Sequence, residues 1–265
     1  MIVSCLFFAF LCLAISECLT LQSNVLMREK RNSSNDNLLE NVQKCQNETV
    51  VLTTCPHNFG IEGIFEITVP GLDPFPVMCD ATIAGAGWTV IASRSNVNLN
   101  FFRNWTEYTR GFGDLSGDFF IGLDKLHAIT KSQTHELYIY LEDFSGVTRF
   151  AQYDDFYIEN ENVLYKMTKL GTYTGDAGDS LKTQKDHKFS TYDSDNDSTN
   201  ENCALTRLGA WWYSSCTNSN LFGIYYSGTY ASSMDYKGMY WHGWHGSLYS
   251  YKTMKMMVRP KCRCL

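Results

Sequence analysis

Gly87-Trp88-Thr89-Val90-Ile91-Ala92 is the run on which the fold turns. A glycine followed by β-branched and aromatic residues suits a packed strand better than a helix. His135-Glu136-Leu137-Tyr138-Ile139-Tyr140-Leu141-Glu142 has the same character and predicts a second long strand. Upstream, Gly63-Ile64-Phe65-Glu66-Ile67 and Phe75-Pro76-Val77-Met78-Cys79 read as shorter strands on either side of a Pro-Gly turn. Between the long strands, Asn104 to Gly111 and Leu123 to Thr130 look helical, the second carrying Leu126 and Ile129 on one face. After Gly171 the chain becomes rich in Gly, Asp, Asn, Ser and Tyr. Ordered loops of that length need staples, and cysteines and clustered aspartates stand in that stretch.

The chain has 265 residues, enough for one sizeable domain with a short extension, or for two small domains. With 19% charged and 14% aromatic residues it has the balance of a folded globular protein. A net charge of -6 and a sequence pI near 5.5 remove the electrostatic drive toward phosphate backbones, so nucleic acid is not an expected partner. Residues 1–16 are uncharged and apolar, too short for a comfortable bilayer span of about 20 residues. They read as a secretory signal peptide cut after Ser16, with a cut after Cys18 or an uncleaved anchor as the alternatives. No other stretch could span a membrane. Residues 17–49 form a polar extension with neither sustained heptads nor Gly-X-Y repeats. Its Arg28-Glu29-Lys30-Arg31 matches a convertase site and equally a solvated charge cluster. The expected domain runs over residues 50–262.

Export places the remaining cysteines in an oxidising compartment, where Cys45, Cys55, Cys79, Cys203, Cys216, Cys262 and Cys264 should be mostly paired. Sequons at Asn32, Asn47, Asn104 and Asn196 are compatible with a glycoprotein. The strongest chemical feature is Asp193-Ser194-Asp195-Asn196-Asp197-Ser198-Thr199-Asn200-Glu201. Alternating carboxylates repel unless solvent or a hard cation neutralises them, and calcium takes six to eight oxygen ligands. An EF-hand is excluded, because the required glycine is Ser198 and the required glutamate is Ala204. The residues alone leave a calcium loop and a solvated acidic loop both open.

Ordered motifs across residues 55–260 resemble the fibrinogen-related family of fibrinogen C-termini, ficolins, tachylectins, angiopoietins and tenascins. Among them are Val77-Met78-Cys79-Asp80, Gly117-Asp118-Phe119-Phe120-Ile121-Gly122, Gly175-Asp176-Ala177-Gly178-Asp179-Ser180, Asn202-Cys203-Ala204, Gly209-Ala210-Trp211-Trp212-Tyr213 and Ser219-Asn220-Leu221. The resemblance implies an α+β domain: a small N-terminal lobe, a central mostly antiparallel sheet with flanking helices, and a loop-rich calcium-binding C-terminal lobe. It implies disulfides Cys55–Cys79 and Cys203–Cys216, each contributing about 3 kcal/mol by the loop-entropy argument. Cys45, Cys262, Cys264 and Cys18 are left for a disulfide-linked homo-oligomer or for pairing between extension and tail. It also implies Ca2+ ligation by the carboxylates of Asp195 and Asp197 and the carbonyls of Thr199 and Glu201, with Asp193 a neighbouring charge. Asn196 would then stay free of glycan, and Asn104 and Asn47 are the better acceptors.

In acetyl-sugar-binding relatives a cis peptide before the second cysteine shapes the ligand pocket, which here would be Ser215-Cys216. A non-proline cis bond costs about 3–4 kcal/mol and needs enforcing surroundings. The pocket positions depart from the pattern: Arg207 stands where an aromatic is usual and Thr217 where histidine is usual, while Tyr230 and Tyr236 compete for a third place. Arg207 suits a carboxylate, a sulfate, a sialic-acid-like group or an acidic peptide, or else a solvated surface or an acidic neighbour. Trp211, Trp212, Tyr213, Trp241 and Trp244 are expected in the core rather than on a sugar platform. His242 and His245 are too few for a transition-metal site. No catalytic or cofactor motif is present. The sequence therefore predicts a secreted, non-catalytic recognition protein, first a lectin-like innate-immune molecule binding glycans. The alternative is an extracellular matrix or signalling ligand that binds a protein receptor through the same lobe.

Overall fold

The computed structural model describes residues 51–57 and 60–261. The signal peptide, the basic cluster, Asn32, Asn47, Cys18, Cys45, Cys262 and Cys264 lie outside the described residues. The strands are β1 (Gly63–Ile67), β2 (Phe75–Asp80), β3 (Trp88–Arg94), β4 (Phe112–Gly113), β5 (Phe119–Phe120), β6 (His135–Glu142), β7 (Thr148–Ile158), β8 (Met167–Leu170) and β9 (Tyr173–Gly175). Four short strands follow in the C-terminal lobe, β10 (Ser219–Asn220), β11 (Gly228–Thr229), β12 (Tyr240–Trp241) and β13 (Tyr249–Ser250), and β14 (Thr253–Pro260) returns to the sheet. The helices are α1 (Trp105–Arg110), α2 (Leu123–Ser132), α3 (Cys203–Arg207) and α4 (His242–His245).

Ten strands make one sheet in the order β1-β2-β3-β14-β6-β7-β8, with β5 joining β3 to β4 and β9 beside β7. All of its strand pairings among the described residues are antiparallel. The last strand, β14, fits between β3 and β6, so the sheet closes only when the end of the domain arrives. In β6 the alternation is physical: Leu137, Ile139 and Leu141 are buried, whereas Tyr138, Tyr140 and Glu142 are half-exposed. α1 begins with a reciprocal cap, in which the Asn104 side chain accepts from Glu107 N–H and the Glu107 side chain accepts from Asn104 N–H. α2 buries Leu123, Leu126 and Ile129 on one face against the sheet.

The disulfides are Cys55–Cys79, which pins the N-terminal segment to β2, and Cys203–Cys216, which closes the loop around α3. Trp211, Trp212, Tyr213 and Trp241 are fully buried, in keeping with a core role, while Trp244 is half-buried. Trp212 donates to Tyr165 O at 2.8 Å and Trp241 to Gly178 O at 2.8 Å, so their indole N–H groups are satisfied in the core.

Arg94, at the end of β3, is the one charged side chain among the largest fully buried groups, with 1% exposure. Its Nη1 donates to Leu221 O at 2.8 Å and Gly223 O at 2.6 Å, and its guanidinium lies 4.2 Å from the centre of the Phe101 ring. Burial lowers its pKa to about 10, which still leaves it charged at neutral pH. Arg94→Ala should leave two buried carbonyls unpaired, at roughly 1–3 kcal/mol each, beside a new cavity. We expect a loss of about 3–5 kcal/mol in urea unfolding followed by tryptophan fluorescence. A loss below about 1 kcal/mol would show that the lobe does not hang on this contact.

Candidate functional site

The C-terminal lobe is built around Asn220, fully buried on β10. Its Oδ1 accepts from Tyr213 Oη–H at 2.8 Å. Its Nδ2 donates to Arg207 O at 3.0 Å and to Tyr236 O at 3.4 Å. One amide thus fixes the backbone under two of the sequence-predicted site residues. Two glycines make room for it. A Cβ on Gly209 would lie 2.7 Å from Asn220 Oδ1, and a Cβ on Gly223 would lie 2.4 Å from Asn220 Nδ2.

Above this frame the Arg207 guanidinium lies 4.9 Å from the Tyr236 ring centre, and Tyr236 meets Tyr240 edge to face at 5.7 Å. Tyr240 Oη donates to Thr217 O at 2.9 Å. Arg207, Tyr236 and Thr217 are therefore brought together, with Asn220 and Tyr240 beneath them. Leu208 ends α3 at φ 51° and Tyr236 sits at φ 61°, so the backbone is left-handed at a non-glycine residue on each side of the cation. Such positions cost on the order of 1–3 kcal/mol and persist where packing over-determines them. Arg207 makes no ion pair among the described residues, and its Nε is buried without a hydrogen-bond partner.

Tyr230 does not share this cluster. It packs on Tyr226 at 4.5 Å, its hydroxyl donates to Ser247 O, and it accepts from Gly238 N–H at 3.1 Å. Of the two competing tyrosines, Tyr236 takes the place beside Arg207. The expected cis bond is also corrected: there is no cis peptide among the described residues, so Ser215-Cys216 is trans. The physical reason is local. Ser215 is exposed, Ser214 N–H donates to Cys216 O at 2.7 Å, and this turn is satisfied without the cost of a cis bond. Thr217 is spent as well, its hydroxyl donating to Ser219 O at 2.6 Å and accepting from Ser219 N–H at 3.2 Å. An acetyl pocket shaped by a cis peptide is therefore not part of this structure. Two surface depressions of about 290 and 340 Å3 lie elsewhere, one lined by Tyr138, Arg149 and Phe150 and the other by Tyr153, Lys182 and Lys185.

In the acidic loop the three aspartates have different duties. Asp193 Oδ1 accepts from Trp105 N–H at 2.9 Å and from Thr191 Oγ1–H at 2.7 Å, which ties the loop to α1. Asp197 accepts from Thr199 N–H and Thr199 Oγ1–H through Oδ1 and from Cys203 N–H through Oδ2, all within 3.0 Å. Among the described residues Asp195 accepts only from Asp197 N–H, at 3.3 Å. Desolvation and then the Asp197 charge raise the pKa of Asp195 above the usual carboxylate value. The single Thr199 Oγ1–H is shared between Asp197 Oδ1 and the Glu201 carbonyl. These donors are all oxygen, which suits a hard cation. No group of three or more acidic, histidine or cysteine side chains converges as a metal cage among the described residues. Asp195 and Asp197 stand two residues apart in this loop, and α3 leads from it to Arg207.

Asn220 and Tyr240 carry the site and were not singled out as site residues from the sequence. The available signal was a lone amide in the apolar run Asn220-Leu221-Phe222, since a buried amide must find partners.

Comparison with known proteins agrees with this architecture. The family described as fibrinogen beta and gamma chains, C-terminal globular domain, matches residues 59–261. Mouse angiopoietin-related protein 6 is 42% identical over 197 residues, 74% of this chain and 43% of that protein. Human angiopoietin-related protein 7 is 35% identical over 256 residues, 91% of this chain and 73% of that protein. The chain thus spans less than half of the first relative and about three quarters of the second. Among solved structures, the fibrinogen-like globe domain of human ANGPTL2 superposes with TM-score 0.76 at 36% identity, covering 80% of this chain and all of that one. Lamprey fibrin D-dimer, complexed with the peptide Gly-His-Arg-Pro-amide, superposes with TM-score 0.75 at 28% identity, covering 92% of this chain and 83% of that one. No helix among the described residues is long and apolar enough to cross a membrane. With two intramolecular disulfides and secreted relatives, this chain is an extracellular protein and belongs to the family of fibrinogen C-terminal globular domains.

Proposed function

We propose that this protein is a non-catalytic extracellular signalling ligand that binds a protein receptor through its C-terminal lobe, with Arg207 as the electrostatic anchor. The observation that carries the reading is the unpaired Arg207 cation laid over Tyr236 on a rigid buried frame. Arginine and tyrosine are the side chains through which protein interfaces concentrate their energy, and a fixed guanidinium selects a carboxylate on the partner. The kinship with angiopoietin-related proteins supports a signalling ligand over the lectin-like reading, and the family is one of binding domains rather than enzymes. The structurally similar lamprey fibrin D-dimer is complexed with the basic peptide Gly-His-Arg-Pro-amide. Here the cation belongs to the domain, so the complementary partner surface is acidic.

Calcium belongs to the same proposal. The Asp195 and Asp197 carboxylates, with the Thr199 and Glu201 carbonyls, would hold Ca2+ just before α3. The cation would relieve the repulsion between the two carboxylates. With two carboxylates, affinity should fall in the weak extracellular class, on the order of 10⁻⁴–10⁻³ M.

Two experiments test these readings. In a binding screen against displayed receptor ectodomains, Arg207→Ala should weaken the selected interaction by about 30-fold or more while leaving the melting temperature unchanged. Unchanged receptor affinity, together with calcium-dependent capture on a glycan array, would restore the lectin reading instead. The second experiment follows melting temperature with calcium and with chelator. Calcium should raise it for the wild type and not for Asp195→Asn. In chelator the order reverses: the raised Asp195 pKa means its charge opposes folding at neutral pH, so removing that charge should stabilise. That advantage should fade as pH falls through the raised Asp195 pKa, where the wild-type carboxyl also becomes neutral. A calcium response retained by Asp195→Asn would remove Asp195 from the site.

A further inference from the structure

We propose that Asn104 carries an N-linked glycan in the folded protein and that Asn196 does not, although both lie in sequons. The two amides are used in opposite ways. At Asn104 the oxygen does the structural work: Oδ1 accepts from Glu107 N–H at 2.9 Å to cap α1. Nδ2, the atom that would bear sugar, makes no hydrogen bond among the described residues and is not among the buried polar atoms lacking a partner. It meets solvent, and Thr106, the third residue of the sequon, is exposed.

At Asn196 the nitrogen does the work. Nδ2 donates to Phe189 O at 2.9 Å, to Ser194 Oγ at 3.1 Å and to Ser194 O at 3.3 Å, while the backbone N–H donates to Ser190 Oγ at 3.0 Å. Glycan transfer forms a bond from Nδ2 to the anomeric carbon of a lipid-pyrophosphate-linked oligosaccharide. Nδ2 gives up one proton and the lipid pyrophosphate leaves. A substituted Nδ2 keeps a single N–H, which cannot serve both Phe189 and Ser194, and the sugar would have to enter a half-buried turn. At Asn104 the same chemistry removes no hydrogen bond.

The position gives the glycan a consequence. Trp105 N–H donates to Asp193, and Phe102 packs on Tyr192 at 4.9 Å, so a glycan at Asn104 stands at the Asp193 edge of the acidic loop. That edge is closed to a large partner, and the approach left open is from Arg207. Occupancy itself does not depend on the receptor reading.

The test is site mapping on the full chain secreted from insect or mammalian cells, by mass spectrometry after enzymatic deglycosylation in heavy-oxygen water. The Asn104 peptide should carry the deamidation label and the Asn196 peptide should be recovered unlabelled. Thr106→Ala, which keeps the capping asparagine, should abolish the glycan-dependent gel shift assigned to this site. If that variant is poorly secreted, Asn104→Asp keeps the capping oxygen and should lose the same shift. An unlabelled Asn104 peptide, or a labelled Asn196 peptide in correctly disulfide-bonded protein, overturns the proposal.

Discussion

The guanidinium of Arg94 is a buried contact through which the sheet holds the loop-built lobe. It is charged, buried and anchored at the end of β3, and its two donated hydrogen bonds go to Leu221 and Gly223. A buried cation is costly unless its donors find acceptors, so Arg94 constrains as much as it stabilises. The chain from 221 to 223 must present both carbonyls to one nitrogen. That requirement fixes the adjacent Asn220, and Asn220 fixes the carbonyls of Arg207 and Tyr236. A rigid sheet residue thus sets the place of two surface side chains without touching either. The aromatic packing follows the same line, with Phe101 under Arg94, Phe222 on Phe101 at 5.5 Å and Trp211 on Phe222 at 4.9 Å.

Such an arrangement suits a lobe with little regular structure. Strands β10 to β13 have two residues each and could not stand alone. Their order comes from side chains that substitute for a backbone ladder: Asn220 between two loops, Tyr240 on Thr217, and Trp241 on Gly178. The Cys203–Cys216 bond shortens the unfolded loop that contains α3, and Asp193 ties the acidic segment to α1. Each tie crosses the lobe, so each is worth little without the others.

The sheet and its helices were legible because their signals are local. β6 coincides with the predicted His135–Glu142 run, and the α1 cap lies in the Asn104-to-Glu107 spacing. The lobe was legible only in part, because its determinants are distant in sequence. Asn220 serves residues 13 and 16 positions away, a relation that no periodicity encodes. Tyr230 and Tyr236 could not be separated from sequence because the loop between Gly228 and Trp241 offers both, and the Ser247 and Gly238 contacts commit Tyr230 elsewhere. The cis Ser215-Cys216 bond was expected by likeness alone. It fails because this chain closes the turn through Ser214 N–H, and the side chains that accompany the acetyl pocket are replaced by Arg207 and Thr217.

That replacement has a physical direction. An acetyl cavity needs an apolar wall and backbone donors, whereas Arg207 presents a charge that must be desolvated on binding and answered by a carboxylate. Burying that charge against a neutral sugar would cost more than the stacking returns. Against an acidic protein surface the same charge gains a bidentate pair on a preorganised frame. The neighbouring loop supplies the opposite sign, with Asp195 and Asp197 a short helix away from Arg207. A cation held by those carboxylates would screen them and leave Arg207 as the dominant field on that face. On the proposed reading, Arg207 supplies the charge that a partner meets, and the Arg94–Asn220 frame sets where it stands.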